Sequence, residues 1–247
     1  MKKVIAWAGV LLLMLSIPAV VFTAAAEEGT YYLVEGIVTA DGEGIIARVK
    51  PNPNPNPGGD APTEINFKAL RAINGDAAAW LCNPGTVIDY PVMKAADYSY
   101  YLTHLPDGTA NANGALFIDY NNAPDFSGQL TVIYGHHMRS GKMFGSLKGY
   151  KTQSYYNGHP YMLLFTPQGN YRIELLYGCV IDAGQWRERA FMYEQNLPGL
   201  LSYAARHSTF RSNISYREGD RVIAMSTCSY EFDGARYVVL GVLREAI

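Results

Sequence analysis

The stretch RVIAMSTCSYEFDGARYVVLGVL, residues 221–243, reads as two strands and a turn. Arg221 to Cys228 is an apolar, alternating run that ends on a cysteine. Asp233-Gly234 supplies the turn, because glycine takes positive φ without steric cost. Ala235 to Leu243 is rich in valine and leucine, and the strand period of two puts Arg236, Val238, Leu240 and Val242 on one face. A guanidinium among apolar strand residues is costly to bury unless an anion or strong acceptor meets it. A thiol ending one strand and a guanidinium starting the next can therefore converge, as a nucleophile beside a stabiliser of negative charge. On this hairpin alone a plainer reading stands beside the functional one. Cysteine is often a small buried hydrophobe, and an arginine near a strand end often snorkels.

A third residue shifts the balance. In QLTVIYGHHMRSGKMFGSL, residues 129–147, a run of β-branched and aromatic residues from Leu130 to Tyr134 is broken by Gly135 and followed by His136 and His137. A histidine just past a strand end is presented at a sheet rim. Thiol-based proteases and transferases need such a histidine near the cysteine in space, not in sequence. Local chemistry does not separate the two adjacent histidines.

A glycine-histidine pair after a strand, threonine-cysteine at a strand end and arginine on the next strand resemble the sortases. These are cell-surface cysteine transpeptidases, mainly of Gram-positive bacteria. Within them the chain is similar to class B, on WLCNPGTVIDYPVMKAADYSYYL (80–102), GALFIDYNN (114–122), VIYGHHMRSGKMFGSLKGY (132–150) and STCSYEFDGARYVVLGVL (226–243). The resemblance covers about residues 64–247. It implies a mainly β fold, a closed eight-stranded barrel with N-terminal helices mapped to 64–82 and a helix between the sixth and seventh strands mapped to 186–208. It implies that Cys228 is the nucleophile, that His136, directly after the glycine, is the acid and base, and that Arg236 stabilises the oxyanion or holds substrate. Leu102, Tyr134, Ser226 and Thr227 are implied as substrate-binding residues, and the 186–208 region as a wall of the groove. For Leu102 and Tyr134, ordinary barrel packing is the rival reading. Two positions depart from the family pattern. Tyr98 stands where asparagine is common, and Ser229 follows the cysteine where an acid can occur.

The implied reaction is attack of the Cys228 thiolate on a backbone carbonyl of a sorting signal, proton donation from His136 to the leaving amine, and a thioester intermediate. An amine of a peptidoglycan precursor or a pilin then takes the acyl group. No cofactor and no metal is called for, and a monomer is expected. Two rival functions share these residues: a cell-wall cysteine hydrolase, and a surface binding module with a degenerate site.

The 247 residues allow one domain with extra segments at the start, and 49% apolar content is ample for a core. A formal net charge of −2 argues against a nucleic-acid binder working by bulk charge. Lys2 and Lys3 precede an uncharged apolar run from Val4 to Ala26, long enough to span a bilayer with the remaining chain outside. Ala24-Ala25-Ala26 also resembles a cleavage site, so a removed signal peptide is the alternative. The resemblance favours a retained anchor, hence a single-pass membrane protein with an extracellular catalytic domain.

Residues 27–62 hold a hairpin pattern over 30–50, with Asp41-Gly42 as its turn, and the linker PNPNPNPGGDAP over 51–62. The catalytic domain starts at 63. Thr63 is a weak cap there, with Ile65, Phe67, Leu70 and Ile73 at near-helical spacing. Pro84-Gly85 leads into a strand, and Leu197-Pro198 divides the late helical passage. Of three cysteines, Cys82 and Cys179 read as buried thiols or a pair, leaving Cys228 reactive. His104, His159 and His207 read as surface or capping residues.

Overall fold

The computed structural model describes residues 33–38, 45–50 and 65–245. The chain divides between residues 64 and 65. In the first unit, β1 (Leu33–Val38) and β2 (Ile45–Lys50) pair antiparallel, from Leu33 against Lys50 to Val38 against Ile45. The strands of the expected hairpin are thus present. The apolar run 1–26, the linker 51–62 and Thr63 lie outside the described residues.

The second unit opens with α1 (Phe67–Ile73). Its cap is Asn66, whose side chain accepts from the amide of Ala69 at 3.0 Å. Only this short helix fills the expected helical stretch 64–82. Ala77–Cys82 is instead the strand β3. Alanine's helix preference is overridden because five successive residues, Ala77 to Leu81, are buried on both faces of a sheet.

The strands that follow are β4 (Asp89–Lys94), β5 (Leu116–Ile118), β6 (Leu130–Tyr134), β7 (Tyr161–Thr166), β8 (Gly169–Asp182), β9 (Val222–Cys228) and β10 (Ala235–Glu245). With β3 they form a closed eight-stranded barrel in the order β10-β8-β7-β3-β4-β5-β6-β9. Closure leaves the barrel no free edge. The β4–β5 and β6–β9 pairs are parallel and the others antiparallel. Between β6 and β7 lie a 3₁₀ run (Phe144–Lys151) and α2 (Gln153–Gly158).

Two apolar layers share the barrel wall. The interior packs Leu81, Val92, Ile133, Leu164, Met225 and Val239. The outer face of β6, β8, β9 and β10 packs against α3 (Ala183–Glu188) and α4 (Leu197–His207), which lie between β8 and β9, the sixth and seventh barrel strands. Leu197-Pro198 opens α4 rather than interrupting a helix, because proline fits a first turn, where its missing N–H has no partner to lose. The break falls earlier, where Ala190 turns the chain at φ 50°.

Candidate active site

Topology brings the three predicted residues together. β6 runs parallel to β9, with Tyr134 opposite Ser226, so the chain leaving β6 passes beside the end of β9. The Gly135 amide donates to the Ser226 carbonyl at 3.3 Å, and the Thr227 hydroxyl to the Gly135 carbonyl at 2.8 Å. On the other side β10 is antiparallel, so its start lies where β9 ends, and Arg236 is the Cα partner of Cys228. The alternation that points Val238 and Ala224 outward under the helices also points Arg236, Ser226 and Cys228 outward. The site is therefore on the outer face of the barrel at its rim.

Gly135 is required by packing. A Cβ there would collide with the side chain of Leu116 and the ring of Phe144, so only glycine lets the strand close on the core before the histidines emerge. Gly114 supports the same place. It sits at φ +62°, and a Cβ would lie 3.0 Å from both the His136 ring and the Leu102 carbonyl oxygen.

His136 and His137 take different positions. His136 lines the groove with Cys228 and Arg236, and its Nε2 lies 2.8 Å from the Leu102 carbonyl oxygen. A carbonyl only accepts, so Nε2 carries the hydrogen and Nδ1 is left to exchange a proton. His137 turns away. Its Nδ1 donates to the Cys228 carbonyl at 2.9 Å, and its ring meets Tyr230 edge-on at 5.0 Å. It fastens the backbone of residue 228 to the loop that carries His136.

The groove encloses about 600 Å³. Each expected substrate-binding residue lines it, in a manner sequence did not specify. Leu102 contributes its side chain and also the carbonyl that orients His136. Tyr134 and Thr227 have their hydroxyls tied to Asp119 and Gly135, so they offer ring and methyl surface rather than free donors. Ser226 faces the groove without a side-chain hydrogen bond among the described residues. Within the expected 186–208 region, the wall is formed by Trp186 and Arg187 of α3 and by Met192 and Tyr193 of the turn that follows it.

Sequence reasoning missed the floor of the site. Asp119 is fully buried. Its Oδ2 accepts from the hydroxyls of Tyr98 at 2.9 Å and Tyr134 at 2.8 Å, and its Oδ1 from the Asn121 amide at 2.9 Å and side chain at 3.0 Å. Burial first, and then this carboxylate, hold both tyrosines protonated well above the ordinary phenol range. Tyr98, the departure noted in sequence, thus presents a ring to the groove and its hydroxyl to Asp119. Nothing local marks Asp119 as part of a site, since the two groove tyrosines it holds lie 21 and 15 residues away.

Ser229, the other departure, is 4% exposed and takes part in a clasp. The Lys151 ammonium donates to the Ser229 hydroxyl at 2.8 Å and pairs with Glu231, and Ser229 donates to the other Glu231 oxygen at 2.5 Å. The turn between nucleophile and arginine is thereby fixed to the 3₁₀ run.

The three cysteines are free thiols. Burial pushes Cys179 up to about 12, and burial with the nearby Asp89 carboxylate pushes Cys82 up to about 11. In both, burial disfavours the thiolate that a nucleophile needs. Among the described residues no group of His, Cys, Asp and Glu could hold a metal ion. His104 stacks on exposed Tyr100, His159 caps α2, and His207 ends α4, as capping or surface residues do.

No family model matches the chain. Individual proteins do. Sortase B of Listeria monocytogenes is 31% identical over 181 residues, covering 72% of this chain and 73% of its own length. Sortase B of Staphylococcus aureus is 27% identical over 177 residues, covering 70% and 72%. The crystal structure of Staphylococcus aureus sortase B superposes with a TM-score of 0.67 at 26% identity, over 73% of this chain and 87% of that one. Clostridium perfringens sortase B gives 0.65 at 28%, over 72% and 100%.

A closed barrel of this topology, with a half-buried thiol, an imidazole and a guanidinium lining one groove, is the architecture of a cysteine transpeptidase of the sortase type. The chain belongs to the sortase B family, whose members are cell-wall transpeptidases.

Proposed function

We propose that this chain cleaves a C-terminal sorting motif of secreted proteins and passes the acyl group, through a thioester on Cys228, to an amine of the cell wall or of a pilin. The observation that carries this reading is the Cys228–Arg236 register pair opening, with His136, into a single groove. The Cys228 thiol passes its proton to His136 Nδ1, and its sulfur attacks the scissile carbonyl. Arg236 meets the oxyanion, and a proton from His136 Nδ1 goes to the departing amine. The entering amine returns that proton as it attacks the thioester, and the free thiol is restored.

Leu102, Tyr134, Ser226 and Thr227 hold the peptide, with Ser226 as the hydroxyl free to bond its backbone. One relative has been crystallised as a sortase B–substrate complex, and sortase B has also been crystallised with triglycine, which suits a peptide donor and an amine acceptor here. The protein acts as a monomer, held at the cell membrane by residues 1–26, with residues 63–247 as the extracellular catalytic domain. Among the described residues no helix is long and apolar enough to cross a membrane, and 1–26 lie outside them.

The test is peptide cleavage with and without triglycine. A ligated product that grows with triglycine at the expense of hydrolysed peptide supports transfer. Hydrolysis alone at saturating triglycine would assign the chain to the peptidases.

A further inference from the structure

We propose that Arg187 reads a carboxylate on one of the two substrates, either an acidic side chain of the sorting peptide or an acid group carried by the amine acceptor. The inference rests on the transpeptidase reading above and adds the charge character of what enters the groove.

The fixed charges lining the groove are Arg187 and Arg236, and among the described residues no carboxylate lines it. Arg236 is already placed, opposite Cys228 across the β9–β10 ladder and donating from Nη1 to the Ala235 carbonyl at 3.1 Å. Arg187, exposed in the last turn of α3, makes no side-chain hydrogen bond or ion pair among the described residues. Asp182, the acid that caps its helix, accepts from the Gln185 amide through Oδ1 at 3.0 Å and forms no ion pair with Arg187.

The carboxylate behind the groove's Tyr98 and Tyr134 is compensated by a cation of its own. Asp119 is fully buried, and its two oxygens are taken by four donors, from Tyr98, Tyr134 and Asn121. Its charge is further balanced from behind by Lys94, whose ammonium also holds the carbonyls of Asp119, Tyr120 and Asn122 at 2.8–2.9 Å. The groove is thus walled by aromatic rings and carries net positive charge. Such low-dielectric walls focus the field of the two cations toward an entering anion. A guanidinium fork suits a carboxylate better than any other side-chain partner.

The experiment separates the two sources. Wild-type enzyme is offered a randomised peptide library, and thioester formation on Cys228 is read by intact mass. Each peptide that acylates it is remade with Glu, Gln and Lys at every position. Transfer from the acyl-enzyme is then timed with triglycine and with triglycine amide, which lacks the carboxylate. Arg187→Glu is compared with Arg206→Gln, a change of charge on α4, where Arg206 bonds only Ser202 among the described residues.

If the peptide supplies the acid, wild type acylates about tenfold faster with Glu than with Gln at one position, and Arg187→Glu reverses the preference toward Lys. If the acceptor supplies it, triglycine outpaces its amide by about tenfold, and Arg187→Glu removes that advantage. Arg206→Gln leaves both ratios as in wild type. Ratios unchanged within twofold in Arg187→Glu at both steps would overturn the inference while leaving transpeptidation intact. Failure of every peptide to acylate wild-type Cys228 would instead strike the transpeptidase reading itself.

Discussion

Along the outer face of β9 and β10, Val222, Ala224, Ser226 and Cys228 follow one another in a two-residue rhythm, as do Leu240, Val238 and Arg236. The rhythm does not change along the strands, but the cover does. Val222, Ala224, Val238 and Leu240 lie in one apolar layer with Leu197, Leu200 and Ala204 of α4 and are fully buried. One step further toward the rim, the wall passes to Trp186, Met192 and Tyr193, and a groove opens over Ser226, Cys228 and Arg236. The site is an ordinary stretch of barrel wall left partly uncovered, and polar residues appear where the helices no longer seal it. Burial of Cys179 on β8 makes the same point from the sealed side, since its thiol is pushed up to about 12.

The largest break in this comparison comes from Cys228→Ala. Losing the nucleophile should remove acyl transfer by at least about 10³-fold in single-turnover assays, with little change in melting temperature. His136→Ala should follow, losing about 10²- to 10⁴-fold in acylation for want of a proton donor. In the sealed half the balance reverses. Leu240→Ala should cost about 2–5 kcal/mol of stability in urea unfolding and leave the rate per folded molecule near wild type. His137→Ala should be milder than either catalytic change. It removes one hydrogen bond to the Cys228 carbonyl, worth about 1 kcal/mol or roughly fivefold in acylation. Equal losses from the two histidine variants would refute their division of labour.

The smallest effect concerns the turn at the open end. Burial works against the Glu231 carboxylate, but hydrogen bonds from Lys151 and Ser229 outweigh it, so this carboxyl ionises below its ordinary 4.5. The folded value is the lower one. The stabilisation is therefore present above pH 4.5 and is lost as pH falls through the folded value. The melting-temperature gap between wild type and Glu231→Gln should be constant near neutrality and close below about pH 4.5. A gap that widens on acidification would contradict the clasp.

The hairpin and the histidine loop were legible because each announces itself locally. Alternation, an Asp-Gly turn and a glycine after a β-branched run are short-range signals, and the barrel follows once such strands are counted. β3 was hidden because Ala77, Ala78 and Ala79 look helical until a sheet buries both their faces. Between His136 and His137 only the family resemblance chose; the physical reason lies in the parallel β6–β9 pair, which sets which ring meets the groove and which meets the Cys228 carbonyl. Asp119 was out of reach for a similar reason. Its meaning lies in Tyr98 and Tyr134, which only the closed barrel brings to it.

The most direct test of the outward-facing trio is intact mass of the enzyme during one turnover of a cleaved sorting peptide. A transient adduct on Cys228, equal to the amino-terminal fragment and discharged by triglycine, is expected in wild type and absent in Cys228→Ala. Peptide turnover that persists in Cys228→Ala, or an adduct located on Cys82 or Cys179, would contradict it.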